Sequence, residues 1–209
     1  MEQALAEVQS GMTLMVGGFL TCGSALKILE MLSQSEVKDL VLICNDSAYP
    51  DKAYGKLIAN GQVRKLITSH VGTNPEAINQ MNAGSLEVEF VPQGTLVERI
   101  RVAGAGLGGV LTPTGLGTLV ENGKQKIIVD GKEFLIEKPL RADVALIGAS
   151  MGDKSGNLIY KGTSQNMNPL MATAATKVIA EVGELFETGA FAPEAIHTPC
   201  IFVDFIIHH

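Results

Sequence analysis

Apolar residues fall along this chain in short runs, and stretches with helical spacing separate one run from the next. The run "TLMV" at 13–16 reads as a strand. It enters two glycines, crosses a small-residue turn to Gly23 and gives way to a helix over 25–32, with Ser24 as the expected N-cap because its hydroxyl can accept a first-turn amide. "DLVLICND" at 39–46 is almost continuously apolar, as a strand covered on both faces should be. The pattern then repeats with a helix at 53–60, a strand at 64–70, a helix at 75–83 and a strand at 86–92. A further helix, 95–102, dissolves into glycines. Such alternation predicts an α/β fold, an open and mostly parallel sheet with right-handed crossovers and flanking helices. A short amphipathic helix at 2–9, ended by Gly11, precedes it.

Between 110 and 140 the pattern changes. Turns at "TPTGLG", "ENGK" and "VDGKEF" separate short β segments, and Asp130-Gly131 between "KIIV" and "KEFLIEK" is a strong hairpin signal. A small antiparallel insertion is expected there. Afterwards a buried strand at 142–150, the helix "NPLMATAAT" and the strand "KVIAEVG" return to the first pattern. No polar linker, charge block or low-complexity tract marks a boundary, so 1–209 reads as one domain.

With 46% hydrophobic residues, 18% charged and 23 glycines, the chain can bury a sizeable core and make many tight turns. Disorder and a disulfide scaffold are excluded. A net charge of -6 argues against coating nucleic acid, which needs Lys and Arg to neutralise phosphates. Small anionic ligands stay open, because backbone N–H groups bind them without net positive charge. Cys22, Cys44 and Cys200 are odd in number and scattered, with no CxxC spacing; reduced thiols in the cytoplasm and no zinc site are expected. No apolar run reaches the roughly 18 residues of a membrane span, and His208 and His209 read as the start of a purification tag without a role.

Strand, glycines, turn and helix start together can cradle an anionic ligand, since glycine lets it approach the backbone and the amides of turn and helix point into the same space. Gly17, Gly18 and Gly23 equally serve a tight turn, and both readings stand. No Gly-Lys-Ser/Thr follows them, which excludes a Walker A loop and ATP hydrolysis. "GAGLGG" at 104–109 satisfies GxGxxG, but a helix precedes it where a strand is required; a mobile glycine loop near a site is the expectation. Acid/base candidates are Asp46, Glu76, Glu98, Glu121 and Asp153, while His70 at a strand end fits a structural residue as well as a catalyst. Glu87, Glu89, Arg99 and Arg101 alternate as solvated, salt-bridging faces do. Gln93 in "PQGT" lies past a strand and before a helix start, where an amide can donate to a developing oxyanion or bond nearby backbone.

Several ordered motifs carry a resemblance: "MTLMVGGFLTCG", "NPEAINQM", "VPQGTLVERIRVAGAGLGGVLTPTGLGTLVENGKQ", "KPLRADVALIGA" and "GNLIYKGTSQNMNPLMATAAT". Over nearly the whole chain it resembles the alpha subunits of family I CoA-transferases, a group with acetate/butyrate–acetoacetate enzymes and the amino-terminal half of succinyl-CoA:3-oxoacid CoA-transferase. The resemblance implies that Gly17, Gly18, Phe19, Leu20, Thr21, Cys22 and Gly23 contact coenzyme A, whose thioester is a substrate and not a tightly held cofactor. It implies a two-step exchange through a glutamyl-CoA thioester, a covalent intermediate that divides one hard step into two. The nucleophilic glutamate then belongs to a beta subunit, in a Ser-Glu-Asn-Gly motif, and Gln93 matches the alpha subunit's glutamine beside it.

"VENG" at 120–123 contains Glu-Asn-Gly, but Val120 stands where the motif has serine, so Glu121 is expected in a surface turn. Ala25 stands where the family has proline, which predicts a slightly looser loop. An A2B2 heterotetramer acting on acyl-CoA and a short-chain carboxylic acid is the implied assembly. The alternatives are a self-sufficient sugar-phosphate isomerase with His70 or Asp46 as base, and a metabolite-binding module.

Overall fold

Burial on both faces is what the apolar runs require, and a layered sheet supplies it. The structure is a computed structural model that describes residues 2–208; His209, half of the terminal pair read as a tag, lies outside the described residues. Strands β1 (Thr13–Val16), β2 (Leu40–Ile43), β3 (Val63–Thr68) and β4 (Glu87–Phe90) are followed by β5 (Val110–Thr112), β6 (Lys126–Val129) and β7 (Lys132–Glu137). Then come β8 (Ala142–Asp153), β9 (Leu158–Ile159), β10 (Ala175–Phe186) and β11 (Phe205–Ile207). The helices are α1 (Glu2–Leu5), α2 (Leu26–Ser33), α3 (Gly55–Ala59), α4 (Pro75–Ala83), α5 (Gln93–Gly104) and α6 (Asn168–Ala174).

The main sheet runs β11-β10-β8-β1-β2-β3-β4 with every neighbour parallel, and β9 adds an antiparallel pair on β8. Alternation along β1 and β2 sends Leu14, Val16, Leu40 and Leu42 to one face, packed with Ile28, Leu29 and Leu32 of α2, Leu57 of α3 and Ala77 of α4. Met15, Val41 and Ile43 point to the other, against Leu96 and Ile100 of α5 and Met171 of α6. Each such side chain, taken wholly out of water, contributes about 1.5–3 kcal/mol. The insertion is a separate antiparallel sheet, β5-β7-β6. Its hairpin turns at Asp130 and Gly131, with φ of 50° and 75°, the two positive values that a type I′ turn needs.

Helix α4 has the expected bounds because its signals are local: Asn74 accepts from the amides of Glu76 and Ala77, and Pro75 opens the first turn. Helix α2 does not start as expected. Ala25 is its N-cap, while the Ser24 hydroxyl donates to Gly17 O at 2.8 Å. The free amides of Lys27 and Ile28 donate instead to one carboxylate oxygen of Glu181 on β10, at 2.8 and 3.2 Å. A side chain 154 positions away along the chain therefore does the work assigned to Ser24.

Helix α5 begins two residues earlier than expected, so Gln93 lies in its first turn and not before it. Its glycine-rich end lies away from Gln93: the helix is twelve residues long, about 18 Å at 1.5 Å per residue, and the tract leaves it at Ala105. Gly104 lets α5 meet α6: a Cβ there would lie 1.9 Å from Thr173 Oγ1. Arg99 is also no solvated charge. It is buried, donating to Glu89 at 3.0 Å and to Lys138 O at 2.9 Å. Strands β9 and β11 were not expected. Both are short, and β11 owes its place to parallel pairing with β10 at the sheet edge.

Gly104→Ala should lower stability by about 1–3 kcal/mol, the usual cost of overpacking, read as an earlier denaturant midpoint at unchanged m-value. An unaltered midpoint would mean that the α5–α6 contact has room to spare.

Candidate active site

Strand β1 has β2 on one side and β8 on the other, so the chain's crossovers leave it in opposite directions. Crevices at the carboxyl ends of such strands are where open α/β sheets bind ligands. The Gly17–Gly23 segment lies there. Gly17 N still bonds Leu146 O at 2.9 Å, extending the β1–β8 ladder. Side chains are excluded at its start: a Cβ on Gly17 would sit 1.6 Å from Asn168 Oδ1, and one on Gly18, whose φ is 129°, 2.0 Å from Ser24 Oγ. Phe19 and Cys22 then exchange backbone bonds of 3.0 and 2.9 Å around a tight turn. Its tip is Leu20 and Thr21, at φ of 50° and 93°. Positive φ is rare for any side chain and rarer for a β-branched one, and such strain costs on the order of 1–3 kcal/mol unless the surroundings hold it.

Asp46 is what holds it. Its carboxylate, 2% exposed, lies just beyond β2 and accepts from Leu20 N at 3.0 Å, Asn45 Nδ2 at 2.9 Å, Ala48 N at 2.7 Å and Tyr54 Oη at 2.8 Å. Asn45 passes the connection on, because its Oδ1 accepts from Gln93 Nε2 at 2.6 Å. Ser69 donates to the Asn45 carbonyl at 2.6 Å, and His70 forms an isolated bridge with Asp46. The carboxyl ends of β1 to β4 thus meet around an open cavity of about 400 Å³, walled by Phe19, Leu20, Asn45, Asp46, His70 and Gln93.

Burial pushes the Tyr54 hydroxyl well above its ordinary range, and the Asp46 carboxylate that accepts its hydrogen bond adds to the effect. Tyr54 is therefore a neutral donor at any working pH. Burial likewise raises the Cys44 thiol well above its usual range, so Cys44 is an apolar filler beneath the site and no nucleophile.

Not all of the loop is available as a cradle. The helix-start amides of Lys27 and Ile28 are taken by Glu181, and those of Phe19, Leu20 and Cys22 by the turn and Asp46. Gly23 and Ser24 face a second cavity, about 260 Å³, on the β8 side, with Gly148, Ser150, Ser164 and Glu181. Asn168 braces the loop from there, donating to Gly23 O, Gly148 O and Ser164 O at 2.9, 3.1 and 2.9 Å. Ala25 has φ of -78°, inside the range a proline ring imposes.

The remaining acid candidates lie elsewhere. Glu76 is in the first turn of α4, and Glu98 pairs with Arg101 at 2.9 Å. Glu121 is in a short 3-10 turn beside the second sheet; the Gly117 amide and Lys126 hold its carboxyl below the usual range. Asp153 organises the turn after β8, accepting from Ser155 N and from Asn157. Burial pushes its carboxyl up, but these donors and the Gly189 amide outweigh it and hold it below its ordinary range. Asn45, Asn168 and Glu181 escaped the sequence reading. "ND" at the end of an apolar strand was the only signal for Asn45, and the other two carried none. Among the described residues no group of three or more His, Cys, Asp or Glu is placed to hold a metal, and no helix is long and apolar enough to cross a membrane.

The fold that carries this turn, a parallel sheet with a small antiparallel sheet alongside, is shared with solved acyl-CoA transferases. An acyl-CoA transferase of Escherichia coli O157:H7, solved as the apoenzyme, superposes with a TM-score of 0.86 at 20% identity, covering 100% of this chain and 46% of that one. This chain thus spans about half the length of that protein. The family model described as Coenzyme A transferase matches residues 1–209, and the chain belongs to that family. It is 52% identical over 207 residues to the acetate CoA-transferase subunit alpha of Escherichia coli (strain K12), covering 99% of this chain and 94% of the relative. To the acetoacetyl-CoA:acetate/butyrate CoA transferase alpha subunit of Clostridium acetobutylicum it is 51% identical over 199 residues, 95% of this chain and 91% of the relative.

Replacing Asp46 by Asn leaves too few acceptors for its four donors. Hydrogen exchange at the Leu20 amide should quicken at least about tenfold, with a loss of about 1–3 kcal/mol in stability; unchanged Leu20 protection would mean that the turn holds itself. Asp153, with its lowered folded-state pKa, stabilises fully above its unfolded pKa and loses that contribution as pH falls through the folded one. Stability of the wild type should therefore decline below about pH 4, and Asp153→Asn should flatten that limb of a stability-against-pH curve.

Proposed function

We propose that this chain is the alpha subunit of a short-chain acyl-CoA:carboxylate CoA-transferase, exchanging coenzyme A among acetate, butyrate and acetoacetate. The observation that carries the reading is the state of the main cavity: its one lining carboxylate, Asp46, is committed to four hydrogen bonds. That same commitment leaves Asp46 unsuited to be the base of an isomerase. A glutamate nucleophile supplied by a beta subunit at the open side of the cavity completes the site. The names of relatives near 50% identity support the subunit assignment and the substrates.

In this mechanism the partner's glutamate attacks the acyl-CoA carbonyl and expels the coenzyme A thiolate, leaving an acyl-glutamyl anhydride. The thiolate attacks the glutamyl carbonyl and the acyl group leaves as its carboxylate, so a glutamyl-CoA thioester remains, and an incoming acid takes coenzyme A by the reverse steps. Each addition places negative charge on a carbonyl oxygen, and donors fixed beforehand lower its energy. Gln93 is such a donor in this reading: one Nε2 proton is spent on Asn45, which aims the side chain, and the second is left to donate to the reacting carboxyl. Gly17, Gly18, Phe19, Leu20, Thr21, Cys22 and Gly23 form the wall against the thioester and its pantetheine arm. Coenzyme A enters and leaves as a substrate, and no tightly bound cofactor is needed. The assembly is two alpha and two beta chains in the cytoplasm, without nucleic acid or membrane, with 1–209 as one unit.

Acetyl-CoA and acetoacetate exchange should require both subunits, with neither chain active alone. Gln93→Ala in the mixed complex should lower kcat by about 10²-fold or more, the usual cost of one oxyanion donor, at a nearly unchanged KM. Activity of this chain alone would overturn the shared site, and a KM effect without a kcat effect would make Gln93 a binding residue only.

A further inference from the structure

A cavity of about 300 Å³ lies where the second sheet meets the main one, and the transfer reaction makes no use of it. Its walls are Glu89 of β4, Arg99 of α5, Lys124 just before β6, and Ile136, Glu137 and Lys138 where β7 ends. Arg99 is only 9% exposed, yet far from all of its donors are used. Nε donates to Lys138 O at 2.9 Å and Nη1 to Glu89 Oε1 at 3.0 Å, while Glu137 is 3.8 Å from Nε. Nη2 takes part in none of these contacts. Nor is it sealed inside: among the described residues the fully buried side-chain polar atoms without a partner are Ser47 Oγ and Asn168 Oδ1. The Nη2 protons therefore open onto the cavity that Arg99 lines.

Charge decides what meets them there. The lining has three cations, Arg99, Lys124 and Lys138, against two carboxylates, Glu89 and Glu137. Both carboxylates are already engaged, for Lys65 at 3.1 Å shares Glu89 with Arg99, and Lys124 holds Glu137 at 2.5 Å. Lys65 has a second partner in Glu87 at 2.8 Å, so including that pair leaves the same excess of positive charge. Lys138 is exposed and makes no ion pair among the described residues. Because Arg99 Nε bonds the carbonyl of Lys138 itself, the two incompletely satisfied cations stand on one wall.

We propose that this cavity is an accessory site for a short-chain monocarboxylate, held by Arg99 Nη2 and the Lys138 ammonium with its hydrocarbon tail against Ile136. A planar guanidinium donates well to a carboxylate. One negative charge matches the excess on the lining, whereas phosphate brings more than one and would be repelled by Glu89 and Glu137. Arg99 is six residues past Gln93 along α5, about 9 Å. The site is therefore separate from the main cavity, and the proposal does not depend on the reading of that cavity.

Nuclear magnetic resonance of the nitrogen-15-labelled full chain tests this, as sodium butyrate, acetate or phosphate replaces chloride at constant ionic strength. Butyrate should give saturating shifts at Arg99 Nε and at the Lys124 and Lys138 amides. Acetate, with less tail to bury, should bind at least about threefold more weakly, and phosphate more weakly still. Lys138→Gln alters an exposed side chain and should weaken butyrate at least about tenfold through the lost charge-assisted bond. Shifts that never saturate, phosphate binding as tight as butyrate, or an unchanged affinity in Lys138→Gln would overturn the proposal. So would saturation seen only at Phe19, Leu20 and Gln93, which would place the acid in the main cavity alone.

Discussion

One buried carboxylate ties the carboxyl ends of the strands together. Asp46 accepts from the turn after β1, from its own neighbours after β2 and from Tyr54 at the start of α3. An ionised carboxylate offers acceptor positions in several directions, and here four donors use them. Burying such a charge is tolerable only with this degree of satisfaction. The consequence is a rigid floor. Leu20 and Thr21 stay at positive φ because letting them relax would leave the Asp46 oxygen short of a donor, and Gln93 keeps its direction because Asn45 is held in the same network.

A second carboxylate supports the loop from the other side. Glu181 on β10 fills the amides at the start of α2, a role the helix dipole favours for any negative charge. That occupancy changes what the opening glycine motif can do. A free helix N-terminus would attract phosphate, whereas the amides of this one are taken from within by Glu181. Asn168 completes the support, and its position against Gly17 explains why no residue with a Cβ fits there. The loop is preorganised before any ligand arrives, which is how a site reduces reorganisation during charge development.

Much was legible in the chain before its structure. Alternating apolar runs and helical spacings placed β1 at 13–16 and α4 at 75–83 with their observed bounds, because strand burial and capping by Asn74 are local properties. Asp130-Gly131 gave the hairpin for the same reason, since positive φ at both residues is a cost that few other pairs bear so well. The resemblance carried by the longer motifs agreed with the family to which the chain belongs. Where local signals misled, a distant partner had intervened: Ser24 gave up the α2 cap to Glu181, Arg99 was drawn inward by Glu89 and the Lys138 carbonyl, and Gly104, the first glycine of "GAGLGG", became the seat of a helix crossing.

By itself, then, the sequence determined the periodicities, the turns and the segments able to cover one another, since each depends on residues within a few positions. Only the tertiary structure decided that β8 returns beside β1, that Asn45 reaches Gln93 across 48 positions and that Glu181 reaches α2 across more than 150. The physical reason is the directionality of the hydrogen bond. Hydrophobic burial tolerates many arrangements of the same apolar residues, whereas a buried carboxylate or amide is satisfied only where its partners come within about 3 Å at the right angle, and no pattern along the chain encodes that meeting.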